Sequence, residues 1–303
     1  MSSRPPASFS ATFSAARSSK CVPPPRRPST DVSLPSLRDT IQAHGLDAKK
    51  SLGQHFLLDP GICARIAALG GDLTGRSVVE IGPGPGGLTR ALLDTPASRV
   101  DVVEIDERAW PLLDELATYY PDRLHVVRQD ALKLDAATLA PAPRQIIANL
   151  PYNVATPLLV GWLRQASQWE RLSLMFQLEV AERICAAPGS SAYGRLAVLS
   201  QWCASCSVAL RIPPAAFSPP PKVHSAVAVI IPHAEQPSPQ LFRAMEQVTA
   251  AAFGQRRKML RSSLKSIGGE RLLEQAEIEP TRRAETLSVA EFARLAELNL
   301  ASR

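Results

Sequence analysis

A glycine-rich turn constrains the fold of this chain more than any other feature of its sequence. Residues 82–89 read GPGPGGLT, and they lie between an apolar run at 77–81 and a helical period at 87–93. Gly82, Gly84 and Gly87 fit the spacing GxGxxG. Where a strand passes directly into a helix, such glycines permit a tight turn and close approach of the backbone to a ligand. We therefore expect a nucleotide-binding strand–turn–helix unit, with Gly82 and Gly84 beside the ligand.

Strand and helix signals alternate on both sides of this turn. Apolar runs typical of strands recur at 77–81, 99–105, 124–127, 145–148, 172–177, 208–212 and 226–231. Regular alternation of this kind indicates a mostly parallel sheet covered by helices, which is an α/β fold of Rossmann-like type. After a short Pro/Ser stretch only helical periods appear, at 242–253, 256–266, 271–277 and 289–298. The sequence thus predicts a Rossmann-like domain over 36–233 and a small all-α domain over 238–303.

The N-terminal 35 residues have a different composition from the rest of the chain. The chain carries 34 basic and 28 acidic residues, and five of the basic ones fall in the first 30 positions, where no acidic residue occurs. Richness in Pro, Ser and Arg without an apolar period predicts a disordered extension over 1–35. An organellar transit peptide and a start codon assigned too far upstream are the open alternatives. The remaining chain is nearly neutral, so an RNA-binding surface would require local clustering of charge.

The cysteines and the hydropathy of the chain exclude several classes of protein. The five cysteines are odd in number and scattered, which is not typical of a disulfide framework and favours a reducing compartment. Cys203 and Cys206 have CxxC spacing, but no second pair follows, so we interpret them as core thiols and expect no metal site. No apolar run approaches the roughly 18 to 20 residues that cross a bilayer, and no membrane role is expected.

Polar residues follow four consecutive predicted strands of the sheet. They are Glu80, Glu104, Asp130 and Asn149. In open α/β sheets, ligands bind beyond the carboxyl ends of the strands. Glu80 would repel a pyrophosphate but suits a ligand with an ammonium and a sulfonium, Glu104 can accept both ribose hydroxyls, and Asp130 can hold an adenine amino group. This series favours S-adenosylmethionine over a dinucleotide.

The tetrapeptide NLPY at 149–152 points to methylation of an adenine amine. The exocyclic nitrogen is a weak nucleophile because its lone pair is delocalised, and acceptors at the Asn149 side chain and the Leu150 carbonyl would draw it out of conjugation. Pro151 stiffens the turn, and Tyr152 offers a flat face for a base removed from its stack. Phe217 is a candidate for the other side of the base, with a core aromatic as the equal alternative. The predicted catalytic set is therefore 149–152 and Phe217.

These motifs resemble those of the small-subunit ribosomal RNA adenine dimethyltransferases of the KsgA type. The resemblance spans about residues 40 to 300. The segments that carry it occur in the order of the family: KKSLGQHFLLD (49–59), EIGPGPGGLT (80–89), VVEID (102–106), QDAL (129–132), NLPYNVATPLL (149–159), YGRLAVLSQ (193–201), FSPPPKVHSAV (217–227) and FGQRRKMLRSSLK (253–265).

The resemblance implies a class I S-adenosylmethionine-dependent methyltransferase fold and a defined activity. The expected reaction is transfer of two methyl groups to each of two adjacent adenines near the 3′ end of small-subunit RNA, late in subunit assembly. The positions that the family uses for the cofactor correspond to His55, Leu57, Gly82, Glu104, Asp130 and Asn149. His55 departs from the commoner QNF pattern, and an imidazole can still hydrogen-bond the methionine carboxylate, with altered affinity or pH dependence expected.

A basic cluster near the C-terminus is the candidate RNA-binding surface. Arg256, Arg257, Lys258, Arg261 and Lys265 place five positive charges within ten residues, and Lys222 is a possible extension. A solvated surface is the alternative to a patch that contacts RNA phosphates. The expected partner is small-subunit RNA within the immature 30S subunit, bound by a monomer in the bacterial cytoplasm, with organellar import as a minor alternative.

Two kinds of rival function remain open. One is another adenine methyltransferase, acting on 23S rRNA or on DNA, because those enzymes share the glycine loop and an Asn-x-Pro-aromatic turn. The segments around Lys222 and Arg261 favour the small-subunit family. The other is a nucleic-acid-binding assembly factor or a mitochondrial transcription factor in which methylation is lost or incidental. Glu104, Asn149 and Tyr152 are all present, which speaks against lost catalysis.

Overall fold

A seven-stranded sheet organises the structure. The computed structural model describes residues 34–46, 48, 54–255 and 257–302. Within those ranges the strands are β1 (Phe56–Leu57), β2 (Ser77–Ile81), β3 (Arg99–Val103), β4 (Leu124–Val127), β5 (Arg144–Asn149), β6 (Arg171–Gln177), β7 (Ala204–Ile212), β8 (Phe217–Ser218) and β9 (Ser225–Pro232). The large sheet has the order β4-β3-β2-β5-β6-β9-β7, and β1 pairs with β8 separately.

The sheet is parallel from β4 to β6, and β9 and β7 complete it in antiparallel orientation. All five residues of β2 are buried, as expected for a central strand that helices cover on both faces. This arrangement confirms the predicted mostly parallel α/β sheet. Chain order reverses between β2 and β5, because the chain first builds outward through β3 and β4 and then returns. Such a switch point is where open α/β sheets bind ligands.

Helices cover both faces of the sheet and build the C-terminal region. They are α1 (Leu37–His44), α2 (Pro60–Ala68), α3 (Gly87–Leu93), α4 (Trp110–Tyr119), α5 (Ala155–Leu163), α6 (Leu178–Ile184), α7 (Arg195–Cys203), α8 (Pro239–Gly254), α9 (Leu260–Ser263), α10 (Gly269–Gln275) and α11 (Val289–Ala301). In the part of the chain that the structure describes, no helix combines the length and apolar composition that crossing a bilayer requires.

The predicted helix over 256–266 is wrong. The described residues there form only the four-residue helix α9 and a separate 3-10 turn at Lys265–Ile267. The first N–H groups of α9, those of Leu260 and Arg261, donate to the carbonyls of Arg282 (2.8 Å) and Pro280 (3.1 Å). These tertiary hydrogen bonds hold the segment as a short turn against the 280–282 loop, so it does not continue α8.

Two hydrophobic clusters pack against the sheet. Val78 belongs to one and Val79 to the other, and because side chains alternate along a strand, the clusters lie on opposite faces. The larger cluster continues from β5 and α5 into α8 and α11, where Phe253 stacks on Phe292 with ring centroids 5.5 Å apart. The C-terminal helices therefore share a core with the sheet. Their division into a domain of their own at 238–303 stays a prediction.

Candidate functional site

A cavity of about 260 Å³ lies at the switch point of the sheet. Its wall is formed by the turn after β2, by the segments that follow β3, β4 and β5, and by β1 with the two residues before it. The structure brings together every predicted cofactor residue and the whole predicted 149–152 turn: His55, Leu57, Gly82, Gly84, Glu104, Asp130, Asn149, Leu150, Pro151 and Tyr152.

The glycine turn approaches two other parts of the wall so closely that side chains would not fit easily. Gly82 has φ 67° and Gly84 has φ 53°, a left-handed conformation that favours glycine. A Cβ atom on Gly82 would lie 3.3 Å from the Pro151 ring, and one on Gly84 would lie 3.2 Å from the Phe56 ring. The turn is thus packed between the 149–152 segment and β1, with its backbone at the cavity.

Glu104 connects the glycine turn to the loop after β3. Its side chain is 4% exposed; one carboxylate oxygen accepts from the Gly84 N–H (3.0 Å), and the other accepts from the Asp106 N–H (2.8 Å). Burial raises the pKa of Glu104, and the N–H groups of Asp106 and Gly84 oppose that rise. The carboxylate is therefore held in one orientation at the cavity wall, with lone pairs left for hydroxyl donors.

Glu80 lies deeper than the sequence suggests. β2 continues one residue beyond it, and the side chain is 1% exposed, with Thr89 donating a hydrogen bond of 2.6 Å to its carboxyl group. Burial raises the pKa of Glu80 from 4.5 to about 8; the Thr89 hydrogen bond opposes the rise, and the nearby Glu104 adds to it. At neutral pH the protonated form is therefore favoured, and a cation in the cavity would favour the anion instead.

We expect the Glu80→Gln variant to be more stable than the parent protein at pH 8 and nearly equal to it at pH 5. Because the folded pKa is about 8 and the reference value 4.5, the unfolded state ionises first, and the parent loses stability as the pH rises between those values. Glutamine keeps the acceptor for Thr89 and does not titrate. Urea unfolding should show a gain of roughly 2–4 kcal/mol at pH 8. A difference in the free energy of unfolding between variant and parent that does not depend on pH would contradict the raised pKa of Glu80.

The 149–152 turn follows the end of β5, where Asn149 pairs with Met175 of β6. The Leu150 side chain is 1% exposed, and the Pro151 carbonyl accepts from the N–H groups of Val154 and Ala155, both at 3.1 Å. The buried Leu150 side chain anchors the turn in the core, and the hydrogen bonds to the Pro151 carbonyl lead the turn directly into α5. The turn is therefore rigid, and its polar groups have a fixed position at the cavity.

Tyr152 lies in the cavity wall with its ring half-buried. Its hydroxyl forms a 2.7 Å hydrogen bond with the hydroxyl of the buried Ser225 on β9, and its ring centroid lies 5.9 Å from that of His55. Burial raises the pKa of Tyr152. The hydrogen bond fixes the ring at the edge of the cavity, as expected of a stacking platform.

Phe217 does not reach the cavity wall in the described residues. It belongs to β8, where it pairs with Leu57, and its side chain is 5% exposed within the smaller hydrophobic cluster. This burial agrees with the core aromatic that the sequence left open as the alternative. The place of Phe217 in the catalytic set stays a prediction.

His55 stands beside Tyr152 at the cavity and is oriented by a carbonyl. Its Nδ1 lies 2.8 Å from the Pro219 carbonyl oxygen, and because a carbonyl only accepts, Nδ1 carries the proton. In the neutral ring Nε2 is then an acceptor, and it can donate to a carboxylate only when the imidazole is protonated. This is the physical basis for the altered ligand affinity expected from histidine at this position.

Sequence reasoning missed two apolar residues of the wall. Ile105 is 58% exposed and Leu132 is 50% exposed, although both are large and hydrophobic, and both line the cavity close to the acids that follow their strands. The Asp130 carboxylate accepts from the Leu132 N–H at 2.9 Å, which holds this loop. Exposed apolar faces beside strand-end carboxylates suit a flat heteroaromatic ring. The available signal was a large apolar residue one or two positions after a strand-end acid.

The basic residues near the C-terminus are exposed in the described part of the chain. Arg257, Lys258 and Lys265 are exposed, and Arg261 lies 3.8 Å from Glu270, which offsets part of its charge. Lys222 is exposed in the segment after β8. Arg256 lies outside the described residues. The cluster therefore presents its charge from a turn and a short helix rather than from one long helix.

The two cysteines with CxxC spacing lie at the junction of α7 and β7. Cys203 is buried, and burial raises its pKa to about 12. Burial also raises the pKa of Cys206 to about 12, with contributions from Cys185 and Cys203 nearby. Thiols with a pKa raised to this extent are poor nucleophiles and poor metal ligands at neutral pH, because both roles require the thiolate. Their surroundings agree with the interpretation as core thiols.

Comparison with known proteins places this geometry in a family. The family model described as ribosomal RNA adenine dimethylase matches residues 45–299. The chain is 56% identical to the ribosomal RNA small subunit methyltransferase A of Paramagnetospirillum magneticum, over 87% of this chain and 94% of that protein.

Solved structures with the same fold agree with these two sequence matches. A dimethyladenosine transferase from Plasmodium falciparum superposes with a TM-score of 0.67 at 25% identity, over 80% of this chain and 96% of that one. The 23S rRNA methyltransferase ErmE superposes with a TM-score of 0.60 at 27% identity, over 80% of this chain and 98% of that one. Because the family model and the curated relative both cover most of the sequence, this chain belongs to the ribosomal RNA adenine dimethylase family.

Proposed function

We propose that this protein transfers methyl groups from S-adenosylmethionine to the N6 atoms of adenines in small-subunit ribosomal RNA, two on each of two adjacent adenines near the 3′ end. Membership of the family and the name of the curated relative support the reaction and the RNA. The observation that carries the proposal is geometric. One cavity at the switch point combines the glycine turn, the Glu104 carboxylate and the 149–152 turn.

The residues of the cavity fit S-adenosylmethionine, which supplies an electrophilic methyl group on its sulfonium. Gly82 and Gly84 carry no side chain where the turn would approach the ligand, and Glu104 keeps acceptor capacity for two ribose hydroxyls. Ile105 and Leu132 offer apolar faces for an adenine ring, and Asp130 offers an acceptor for its amino group. A cation in the cavity would lower the pKa of Glu80, and its carboxylate would then add a negative charge to the site.

The chain's contribution to the reaction is positioning of the target amine. The Asn149 side-chain oxygen and the Leu150 carbonyl accept the two hydrogens of the N6 amino group, which concentrates its lone pair on nitrogen. The buried Leu150 side chain and the Pro151 ring against Gly82 keep these acceptors from moving. Tyr152, fixed by Ser225, supports the face of the extruded base. Such preorganised acceptors lower the barrier without a dedicated general base, because the nitrogen becomes acidic once it is methylated and then releases its proton to water.

The proposed partner is the immature 30S subunit, and the protein acts on it as a monomer. The exposed basic residues on the turn before α9, together with Lys222, provide contacts for RNA phosphates. The proposed compartment is the bacterial cytoplasm, because the curated relative is a bacterial protein. Residues 1–33, on which the disordered extension or an organellar leader would depend, lie outside the described residues.

The proposal is tested by incubating the full chain with labelled S-adenosylmethionine and three separate substrates. These are small subunits isolated before adenine methylation, naked 23S rRNA and adenine-containing duplex DNA. We expect label only in the small subunits, and mass mapping should show four methyl groups on two neighbouring adenines. Label in 23S rRNA would favour the activity named for ErmE, and label in DNA would favour a DNA methyltransferase. Subunit binding without any label would indicate an assembly factor.

We expect the Lys258→Ala variant to bind small subunits more weakly at physiological salt without a change in cofactor affinity. A lysine that neutralises one phosphate contributes about one unit to the slope of log K against log salt. A salt titration of subunit binding should therefore show a slope that is shallower by about 1 in the variant. Arg65→Ala on α2 removes an equally exposed cation outside the basic cluster and is the matched control. Equal slopes for both variants and the parent would contradict the assigned surface.

A further inference from the structure

One short segment crosses the cavity and is held from both sides. We call residues 54–57 the strap; all four line the cavity. On its C-terminal side, Phe56 pairs with Ser218 and Leu57 pairs with Phe217 in the β1–β8 ladder. The His55 Nδ1–H donates to the Pro219 carbonyl at 2.8 Å, which adds a third contact to the same segment. This side of the strap is therefore anchored by backbone groups.

The other side of the strap is anchored by a buried carboxylate. Gln54 Nε2 donates to one oxygen of Asp106 at 2.8 Å. Arg108 donates to both oxygens of that carboxylate, through Nε (2.9 Å) and Nη2 (2.6 Å), and its Nη2 also lies 3.3 Å from the Gln54 side-chain oxygen. Asp106 is 8% exposed. The Arg108 backbone N–H also donates to this carboxylate at 3.2 Å, so its lone pairs are directed at Arg108 and at the amide of the strap.

Asp106 itself does not line the cavity within the described residues, whereas Gln54 does. The backbone N–H of Asp106 donates to Glu104, which binds the glycine turn. The strap and the carboxylate proposed for the ribose are therefore joined through one residue that no ligand would touch. A charge-assisted hydrogen bond shielded from water is strong enough to decide where a four-residue segment rests.

We propose that Asp106, oriented by Arg108, is a positioning residue that holds the strap over the cavity through Gln54 and so sets the affinity for the cofactor. This inference rests on the proposed cofactor site. It assigns affinity to a contact outside that site, because Gln54, which Asp106 holds, directly precedes His55 in the same segment of the cavity wall.

A second carboxylate, on the strand that precedes Asp106, offers a matched control. Asp101 of β3 is 1% exposed and forms a two-point ion pair with Arg99, with distances of 2.8 and 2.7 Å. The pair has the same residue types as Asp106 and Arg108, also two positions apart. Neither Asp101 nor Arg99 lines the cavity. Loss of Asp101 therefore reports the cost of breaking a buried Asp–Arg pair without release of the strap.

The experiment is a double-mutant cycle read by calorimetric titration with S-adenosylhomocysteine, using the full chain. Asp106→Ala and Gln54→Ala should each raise the Kd about 10-fold, and the double variant should bind no more weakly than the weaker single variant, because both changes release the same contact. The kcat of Asp106→Ala at saturating S-adenosylmethionine should stay within about threefold of the parent, because Asp106 does not line the cavity. Asp106→Asn keeps an acceptor for Gln54 and should recover part of the affinity. Asp101→Ala should leave the Kd unchanged.

Each alternative outcome has a distinct meaning. Additive losses in the double variant, or an unchanged Kd in Gln54→Ala, would overturn the positioning role of Asp106. An equal loss of affinity in Asp101→Ala would mean that general destabilisation of the fold, and not release of the strap, raises the Kd. Thermal unfolding of all variants identifies that case. If Asp106→Ala does not fold, the cycle is run with Asp106→Asn, because Gln54→Ala by itself also removes a residue of the cavity wall. A parent protein that binds no S-adenosylhomocysteine would overturn the cofactor site and this inference together.

Discussion

Methyl transfer by the Asn149→Ala variant is expected to fall at least about 1,000-fold, while the affinity for the small subunit stays within about threefold. Alanine removes one of the two acceptors that hold the target amine and leaves the Leu150 carbonyl in place. The lone pair then stays delocalised, and the base loses its orientation toward the methyl donor. Single-turnover transfer to isolated small subunits, measured at saturating cofactor, reports the chemical step directly.

The companion variant Asn149→Asp separates acceptor chemistry from shape. Aspartate has nearly the size of asparagine and keeps side-chain oxygens that accept from the amine, so it should retain more activity than alanine. Because Asn149 also lines the cavity, calorimetry on both variants checks that the cofactor still binds. Turnover of Asn149→Ala close to that of the parent would remove this side chain from the proposed mechanism. A loss of cofactor affinity that matches the loss of turnover would reassign it to binding.

The sheet could be predicted from the sequence because its signals are local. Val78, Val79 and Ile81 form an apolar run that ends in a glycine turn, and a buried parallel strand requires this composition. The polar residues at the strand ends converge because parallel strands finish at one edge. The sequence alone therefore predicts that three polar residues lie close together, and in the structure all three line one cavity: Glu104, Asp130 and Asn149.

What the sequence did not reveal depends on partners that are distant along the chain. Phe217 is buried in a two-residue strand that pairs with Leu57 of β1, and no local pattern encodes that pairing. The turn at Leu260 is held by the carbonyl of Arg282 and so does not extend as a helix. Burial raises the pKa of Glu80, and position in the sequence does not report how deeply a side chain is buried.

The Gly87→Ala variant is expected to lose about 100-fold in cofactor affinity or about 2–3 kcal/mol in the free energy of unfolding. A Cβ atom on Gly87 would lie 2.5 Å from the Leu57 carbonyl oxygen and 3.2 Å from a methyl group of Leu37. The first contact is with backbone, so no rotamer change relieves it. Either the strap retreats from α3, which opens the cavity wall, or it stays and the fold bears the strain. Calorimetric titration and urea unfolding together distinguish these two responses.

Gly161→Ala supplies the control for this prediction, because it makes the same chemical change within another helix. A Cβ atom on Gly161 of α5 would meet nothing within 4 Å. Alanine there should stabilise the protein by up to about 1 kcal/mol through helix propensity and leave cofactor affinity unchanged. The difference between the two variants then measures the close packing of α3 against the strap. If Gly87→Ala behaves like Gly161→Ala in both measurements, the strap adapts at no cost, and its position does not determine the shape of the cavity.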